Sequence, residues 1–288
     1  VRREGRVVLE RFIGPTNDLL SVEFLEQGVE AARAVVKIET MGGTTTGTGF
    51  LVAPGILLTN NHVLPDPDAC LASEAIAFDE DARIRPNRPT TYLEFDPDRF
   101  FATDEDLDFS FVALRLSGNE DGQDAGWSEC GWIPLLAEQG KILRGQPINL
   151  IQHPGGGEKQ VVVHNSVLLD LENGCADSDF CWYTSDTERG SSGAPVFNSR
   201  WEVVALHHSS VPRTNAEGEL LDLNGRKMSA ERFEREPELV HWIANEGVRC
   251  SRVVRGFERA TFAAPEQAAL RDRIVALWGR PQARRVGF

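Results

Sequence analysis

No run of eighteen apolar residues occurs, so nothing in the chain reads as a membrane span. Cysteine is scarce: Cys70, Cys130, Cys175, Cys181 and Cys250 are odd in number, widely spread and form no C-x-x-C pair. That excludes a disulfide framework and a cysteine zinc site. A Cys175–Cys181 bridge is the one alternative to sparse thiols in a reducing cytoplasm, which is the expected state. No H-E-x-x-H or EF-hand pattern is present, so no metal and no cofactor is expected. His153 and His164 have no metal-type partners and are read as structural. Positive charge is short. Thirty Lys and Arg against 44 Asp and Glu leave −14, which argues against wholesale nucleic-acid binding. The opening Val1-Arg2-Arg3-Glu4 shows no apolar signal segment, so a cytoplasmic location is expected, with secretion after signal removal as the alternative. Repeats and low-complexity tracts are also absent.

What the chain does have is enough apolar side chain, 41% of 288 residues, for a sizeable core. Strand-like stretches are expected at 34–39, 48–52, 56–59, 91–95, 109–116, 147–152, 160–169, 194–197 and 201–207. They are separated by Gly, Pro and Asp clusters, the pattern of antiparallel all-β folds. Gly42 to Gly47 lacks the Lys-Ser/Thr ending of a phosphate loop and reads as a hairpin turn. An amphipathic helix over 18–33 is expected to bury Val22, Leu25, Val29 and Ala32. Two more helices are expected, one around 236–246 stopped by Gly247, the other from Pro265 to before Gly279 with Leu270, Ile274 and Leu277 on one face. From Arg249 to Phe288 there are nine arginines and three acids, and the −14 less this +6 leaves −20 on the rest. Such a basic tail either docks on its own acidic body or serves as a handle for another domain or partner protein.

Three marks carry the chemistry. The first is Asp186-Thr187-Glu188-Arg189-Gly190-Ser191-Ser192-Gly193-Ala194-Pro195. The others are Leu58-Thr59-Asn60-Asn61-His62-Val63 and Leu107-Asp108 followed by apolar Phe109 to Leu114. They set His62, Asp108 and Ser192 in the order His…Asp…Ser of one triad lineage. A serine hydroxyl needs a base to take its proton and a third group to hold that base in the right tautomer. Gly190, lacking a Cβ, permits a turn in which the amides of Gly190 and Ser192 point at one developing oxyanion. Asp106 competes with Asp108; Asp108 is preferred because an apolar strand follows it immediately.

These segments resemble the chymotrypsin-fold, or trypsin-like, serine peptidases, and most of all their bacterial glutamyl-endopeptidase branch. The run Gly190 to His207, GSSGAPVFNSRWEVVALH, is similar to that branch without a gap, as are Ile151-Gln152-His153-Pro154-Gly155 and Asn245-Glu246-Gly247-Val248-Arg249. The resemblance covers residues 34–255. It implies an all-β fold of two six-stranded antiparallel β-barrels with a C-terminal helix; outside it, the residues' own patterns give a helical extension at 1–33 and a basic helical one at 256–288. It implies a serine endopeptidase acting on protein or peptide substrates, with His62 as general base, Asp108 as its orienting acid, Ser192 as nucleophile, and an oxyanion hole from Gly190 and Ser192.

For the residue before the scissile bond the signals conflict. Thr187, five before the nucleophile, and His207 match the positions that hold a substrate carboxylate in glutamyl endopeptidases. Asp186 stands where trypsin-type members keep the acid that binds Lys or Arg. A charged preference is expected, glutamate ahead, with an Asp186–His207 pair as an alternative. Two other functions remain: a protease fold with dead chemistry acting as a binding module, and an α/β-hydrolase in the order Ser192…Asp222…His241. The second is opposed by the turn, which reads G-S-S-G-A and not G-x-S-x-G, and by strands that do not alternate with helices.

Overall fold

The structure is a computed structural model that describes residues 19–78, 90–115, 129–171 and 178–279. Among these residues the β-rich segments form two antiparallel seven-stranded sheets. The first contains β1 Val35–Thr40, β2 Thr45–Ala53, β3 Ile56–Thr59, β4 Ser73–Ala77, β5 Thr91–Glu94, β6 Phe101–Asp104 and β7 Phe109–Ala113. Its spatial order is β5-β4-β1-β2-β3-β7-β6. A bridge between Phe95 and Leu114, just past β5 and β7, closes six of the strands on themselves, and β6 is appended to β7.

The second sheet contains β8 Asn149–Gln152, β9 Gln160–Val162, β10 Leu168–Leu171, β11 Phe180–Tyr183, β12 Pro195–Phe197, β13 Val203–Pro212 and β14 Trp242–Arg249. Its order is β10-β11-β14-β13-β12-β8-β9, and a Pro147–Val167 bridge joins the start of β8 to the start of β10. The two expected six-stranded barrels are thus present, each with one extra strand, because closing the sheet leaves the barrels without a raw edge. Phe50, Phe109 and Phe111 are fully buried in the first barrel, in one apolar cluster with Phe197, Leu206 and Val248 of the second. Ile148, Leu150, Tyr183 and Val196 form a smaller cluster in the second barrel.

Several expectations are corrected. The single strand at 160–169 is two, β9 and β10, because the chain turns at Asn165 with φ 54°. The helix at 236–246 does not exist. Pro237 opens a short 3-10 turn, and β14 follows, paired with β11 on one side and β13 on the other. Gly247 is no helix stop; a Cβ there would lie 2.9 Å from the Leu206 carbonyl, so it serves close strand approach. The helix ending the double barrel is instead α4, Cys250–Arg259 (the shorter α2, Pro67–Leu71, and α3, Ala230–Arg235, lie earlier).

The first helix, α1, spans Glu23–Ala34 and packs Ala32 against the core as expected, but not the other three apolar positions. Val22 and Leu25 are 74% and 66% exposed, and Val29 is exposed too. Phe24, Gly28 and Ala31 face the body instead, where the Phe24 and Trp201 rings lie 5.0 Å apart and Trp201 Nε1 donates to the Phe24 carbonyl at 2.7 Å. Gly28 is what lets the indole in: a Cβ there would sit 2.5 Å from Trp201 Cζ2. The last helix, α5, spans Pro265–Trp278. As expected it packs Leu270, Ile274 and Leu277 against the core, together with Trp278, whose Nε1 donates to the Val52 carbonyl at 2.7 Å. Both terminal helices are therefore held chiefly by apolar contact.

Candidate active site

His62 leaves the end of β3 and Asp108 enters β7, and because β3 and β7 are paired neighbours the two meet across 46 residues of sequence. Asp108 is 6% exposed and takes a positive φ of 43°, in a turn whose Leu107 amide is held by the Asp104 carboxylate at 2.9 Å. Asn60 Nδ2 donates to the Asp108 carbonyl at 2.9 Å, fixing the turn to the strand that carries His62. The Asp108 carboxylate then accepts the His62 amide on Oδ1 at 2.9 Å and the His62 ring through Nδ1 on Oδ2 at 2.8 Å. Asp106, the competing acid, is exposed.

A second imidazole, unexpected from the sequence, uses the same oxygen. His208 on β13 meets Asp108 Oδ2 through Nδ1 at 2.6 Å. Burial alone would raise the Asp108 carboxyl, but the hydrogen bonds from His208, His62 and the His62 amide bring it down to about 2. Above that pH the carboxylate can only accept, so both Nδ1 atoms must carry hydrogens. Neutral His62 is thereby held in the tautomer whose Nε2 is a free base. The donor atoms of His62, Asp108 and His208 lie within 4.8 Å of one another, the spacing of a metal site. Here both Nδ1 atoms are already spent on one carboxylate oxygen, so we read the group as a hydrogen-bonded cluster.

Ser192 sits on a turn locked to both barrels. Its carbonyl accepts from the Thr48 amide on β2 at 2.8 Å, while the next amide, Gly193, donates to His207 O on β13 at 3.0 Å. Gly190 has φ +92° and Gly193 has φ +85°, and a Cβ on the latter would fall 2.1 Å from the Thr48 carbonyl. Ser191 is fully buried, with its Oγ accepting from the Glu188 amide at 3.1 Å. Gly47 lets the Ser192 turn pack close to Val63, the residue after His62: a Cβ on it would meet Val63 Cγ2 at 2.8 Å and the Ser192 carbonyl at 2.9 Å. No hydrogen bond joins Ser192 Oγ to the His62 ring. Among the described residues, neither the Gly190 nor the Ser192 amide donates to a protein acceptor.

The residues expected to line the specificity pocket are scattered in role. Asp186 is exposed; its carbonyl accepts from Gln152 Nε2 at 2.9 Å. His207 is 4% exposed, and its Nδ1 meets the Tyr183 hydroxyl at 2.7 Å, so this ring nitrogen is engaged by Tyr183 and not by Asp186. Burial first, then the neighbouring His208 and His62, push the His207 imidazole down to about 3, so it is neutral. Burial pushes the Tyr183 hydroxyl well up, so it keeps its proton and can donate to His207 Nδ1, leaving Nε2 as the protonated nitrogen. Thr187 Oγ1 and Ser210 Oγ converge on Asn245 Oδ1 at 2.9 and 2.8 Å. Sequence reasoning missed Tyr183, His208, Ser210, Asn245 and Glu246. Only the pair His207-His208 offered a signal, since adjacent strand residues face opposite sides.

The alternative trio is not assembled for catalysis. Asp222 Oδ1 accepts the amides of Asn224 and Arg226, both at 2.9 Å, and Oδ2 pairs with Arg232 at 3.2 Å, in a fold without alternating strands and helices.

A closed double barrel with a histidine–aspartate pair beside a glycine-flanked serine defines the class. Residues 47–206 match the trypsin-like peptidase domain, and the chain belongs to that family of serine peptidases. An uncharacterised protein of Sinorhizobium fredii is 36% identical over 283 residues, which are 93% of this chain and 42% of the relative. The glutamyl endopeptidase of Staphylococcus aureus is 25% identical over 215 residues, 73% of this chain and 54% of that protein. The chain thus spans about half the length, or less, of these relatives. Among solved structures, the serine endoprotease from Yersinia pestis aligns with a TM-score of 0.46 at 17% identity, covering 67% of this chain and 60% of that one.

Proposed function

We propose that the chain is a serine endopeptidase in which Ser192 attacks the scissile carbonyl, His62 is the general base and Asp108 orients it. The observation that carries this is the His62–Asp108 pair at 2.8 Å, which leaves Nε2 basic, next to a serine turn with two unspent amides. In the first step Ser192 Oγ bonds to the carbonyl carbon as His62 Nε2 takes the hydroxyl proton. The carbonyl electron pair becomes an oxyanion facing the amides of Gly190 and Ser192. Collapse breaks the C–N bond, and His62 passes its proton to the departing amine. Water, deprotonated by the same nitrogen, then hydrolyses the acyl-enzyme.

We further propose a preference for glutamate before the scissile bond. One neutral donor supports it, the Nε2–H of His207; the hydroxyls of Thr187 and Ser210 are spent on Asn245 Oδ1. Asp186, the group that would favour a cation, is exposed. The glutamyl endopeptidase of Staphylococcus aureus, 25% identical, points the same way. A peptide-library cleavage profile with fluorophosphonate labelling tests both parts. Labelling of Ser192 with cleavage after Glu is expected; absence of both, or cleavage only after apolar residues, overturns the respective part.

A further inference from the structure

The second imidazole on Asp108 is built into the fold. In the pairing of β13 with β14, His207 lies opposite Gly247 and Ser209 opposite Glu246, so His208 is the extra residue of a bulge. Bulges re-aim a side chain, and this one turns the His208 ring away from Tyr183 and onto Asp108. Behind the ring, Nε2 lies 3.9 Å from Glu246 Oε1, and Glu246 Oε2 is itself held by Trp182 Nε1 at 2.7 Å. Phe180 covers it, with ring centroids 5.6 Å apart. Trp182, Glu246, His208, Asp108 and His62 thus form one chain of contacts from β11 to the base.

Resting on the serine-peptidase reading, we propose that His208 is a positioning residue for the His62–Asp108 pair and also throttles it with pH: neutral His208 pins Asp108 Oδ2 through Nδ1–H, and protonated His208 competes with His62 for the charge on that oxygen. In the reaction His62 becomes an imidazolium that Asp108 stabilises. The two rings lie 6.1 Å apart. A second unit charge at that separation, at an effective dielectric of about 20, disfavours the first by on the order of 100-fold. The charged and titratable groups around His208 are Asp108, Glu246, His62 and His207. Its hydrogen bond to Asp108 raises its proton affinity most, burial opposes this, and the charges of Asp108 and Glu246 add to the rise. The throttle therefore acts above the ordinary imidazole range.

The test is the pH profile of kcat/KM for the native chain, His208→Asn, His208→Ala and Glu246→Gln. Asn keeps a donor near the Nδ1 position but takes no charge. The native acid limb should carry two proton uptakes, His208→Asn should carry one, and its midpoint should move to lower pH. Glu246→Gln should move it the same way. His208→Ala should lower the plateau kcat at least tenfold with KM little changed, and Asn should recover it to within about threefold. An acid limb unmoved in both His208→Asn and Glu246→Gln would refute the throttle, and an unchanged Ala plateau would refute the positioning role. If the native chain proves inactive at every pH, the peptidase reading fails instead. Histidine 15N NMR still decides the matter then: His208 should titrate above the ordinary imidazole value and move down in Glu246→Gln, and no movement would overturn the proposal.

Discussion

Thr48 Oγ1 donates to the Gly190 carbonyl at 2.6 Å, joining a strand of the first barrel to the turn before Ser192 across 142 residues of sequence. The same oxygen accepts from the His153 amide at 3.1 Å. One hydroxyl thus fixes the turn and the loop beneath it. Thr48→Val keeps the shape and removes both bonds, leaving buried polar groups unpaired at about 1–3 kcal/mol. With the Gly190 amide no longer aimed, kcat/KM should fall about 10- to 100-fold. A variant that loses stability but not activity in a thermal-melt and peptide-turnover assay would show that the turn is aimed by other contacts.

Ser192→Ala should abolish turnover, with a loss on the order of 10⁴ to 10⁶ in rate, and leave the melting temperature nearly unchanged. The hydroxyl makes no structural hydrogen bond among the described residues, so its removal costs the fold little. Retained peptidase activity in the purified variant would sink the assignment.

Asp108→Asn should cost about 10⁴-fold by permitting the wrong imidazole tautomer. Asp106→Asn, at an exposed position, should change little. Steady-state rates for the two variants discriminate, and the reverse ranking would mean that the orienting acid has been misassigned.

Gly28→Ala reverses an ordinary rule. Replacing glycine by alanine inside a helix usually stabilises by about 1 kcal/mol. Here the added Cβ would sit 2.5 Å from the Trp201 ring. A destabilisation of about 1–3 kcal/mol is expected from the forced shift. Urea unfolding measures it, and a gain in stability would show that α1 is not seated on Trp201.

His207 makes stability depend on pH. Its folded value, about 3, lies below the ordinary imidazole value near 6.5, so the unfolded chain takes the proton first. The stabilisation is present above about 6.5 and is lost as pH falls toward 3, by up to about 1.4 kcal/mol per unit. His208, raised, acts in the opposite sense but is common to both proteins when the native chain is compared with His207→Gln. The difference in unfolding free energy between them should shrink across that window; a constant difference would contradict a buried neutral His207.

The candidate site residues could be picked out because each lies in a short local pattern. A glycine-flanked serine, a histidine at a strand end and an aspartate before an apolar strand can all be read without knowing what touches them. Strand placement was legible for the same reason in β2, β3, β5, β7 and β12, where β-branched or apolar runs have Gly, Pro, Asn or Asp near at least one end. What failed needed a partner. The segment 236–246 has helical spacing, yet β11 and β13 claim its backbone from both sides, and two ladders of hydrogen bonds outweigh a weak local preference. Val22, Leu25 and Val29 of α1 face outward because the helix seats Gly28 against the distant indole of Trp201. His208 could not be placed from the sequence, since a bulge in β13 sets its direction and Asp108, 100 residues distant, gives it its task. Sequence by itself determined which groups are present and in what order. The register of two closed barrels decided which of them share an oxygen atom, because hydrogen bonds of under 3 Å are set by strand pairing and not by spacing along the chain.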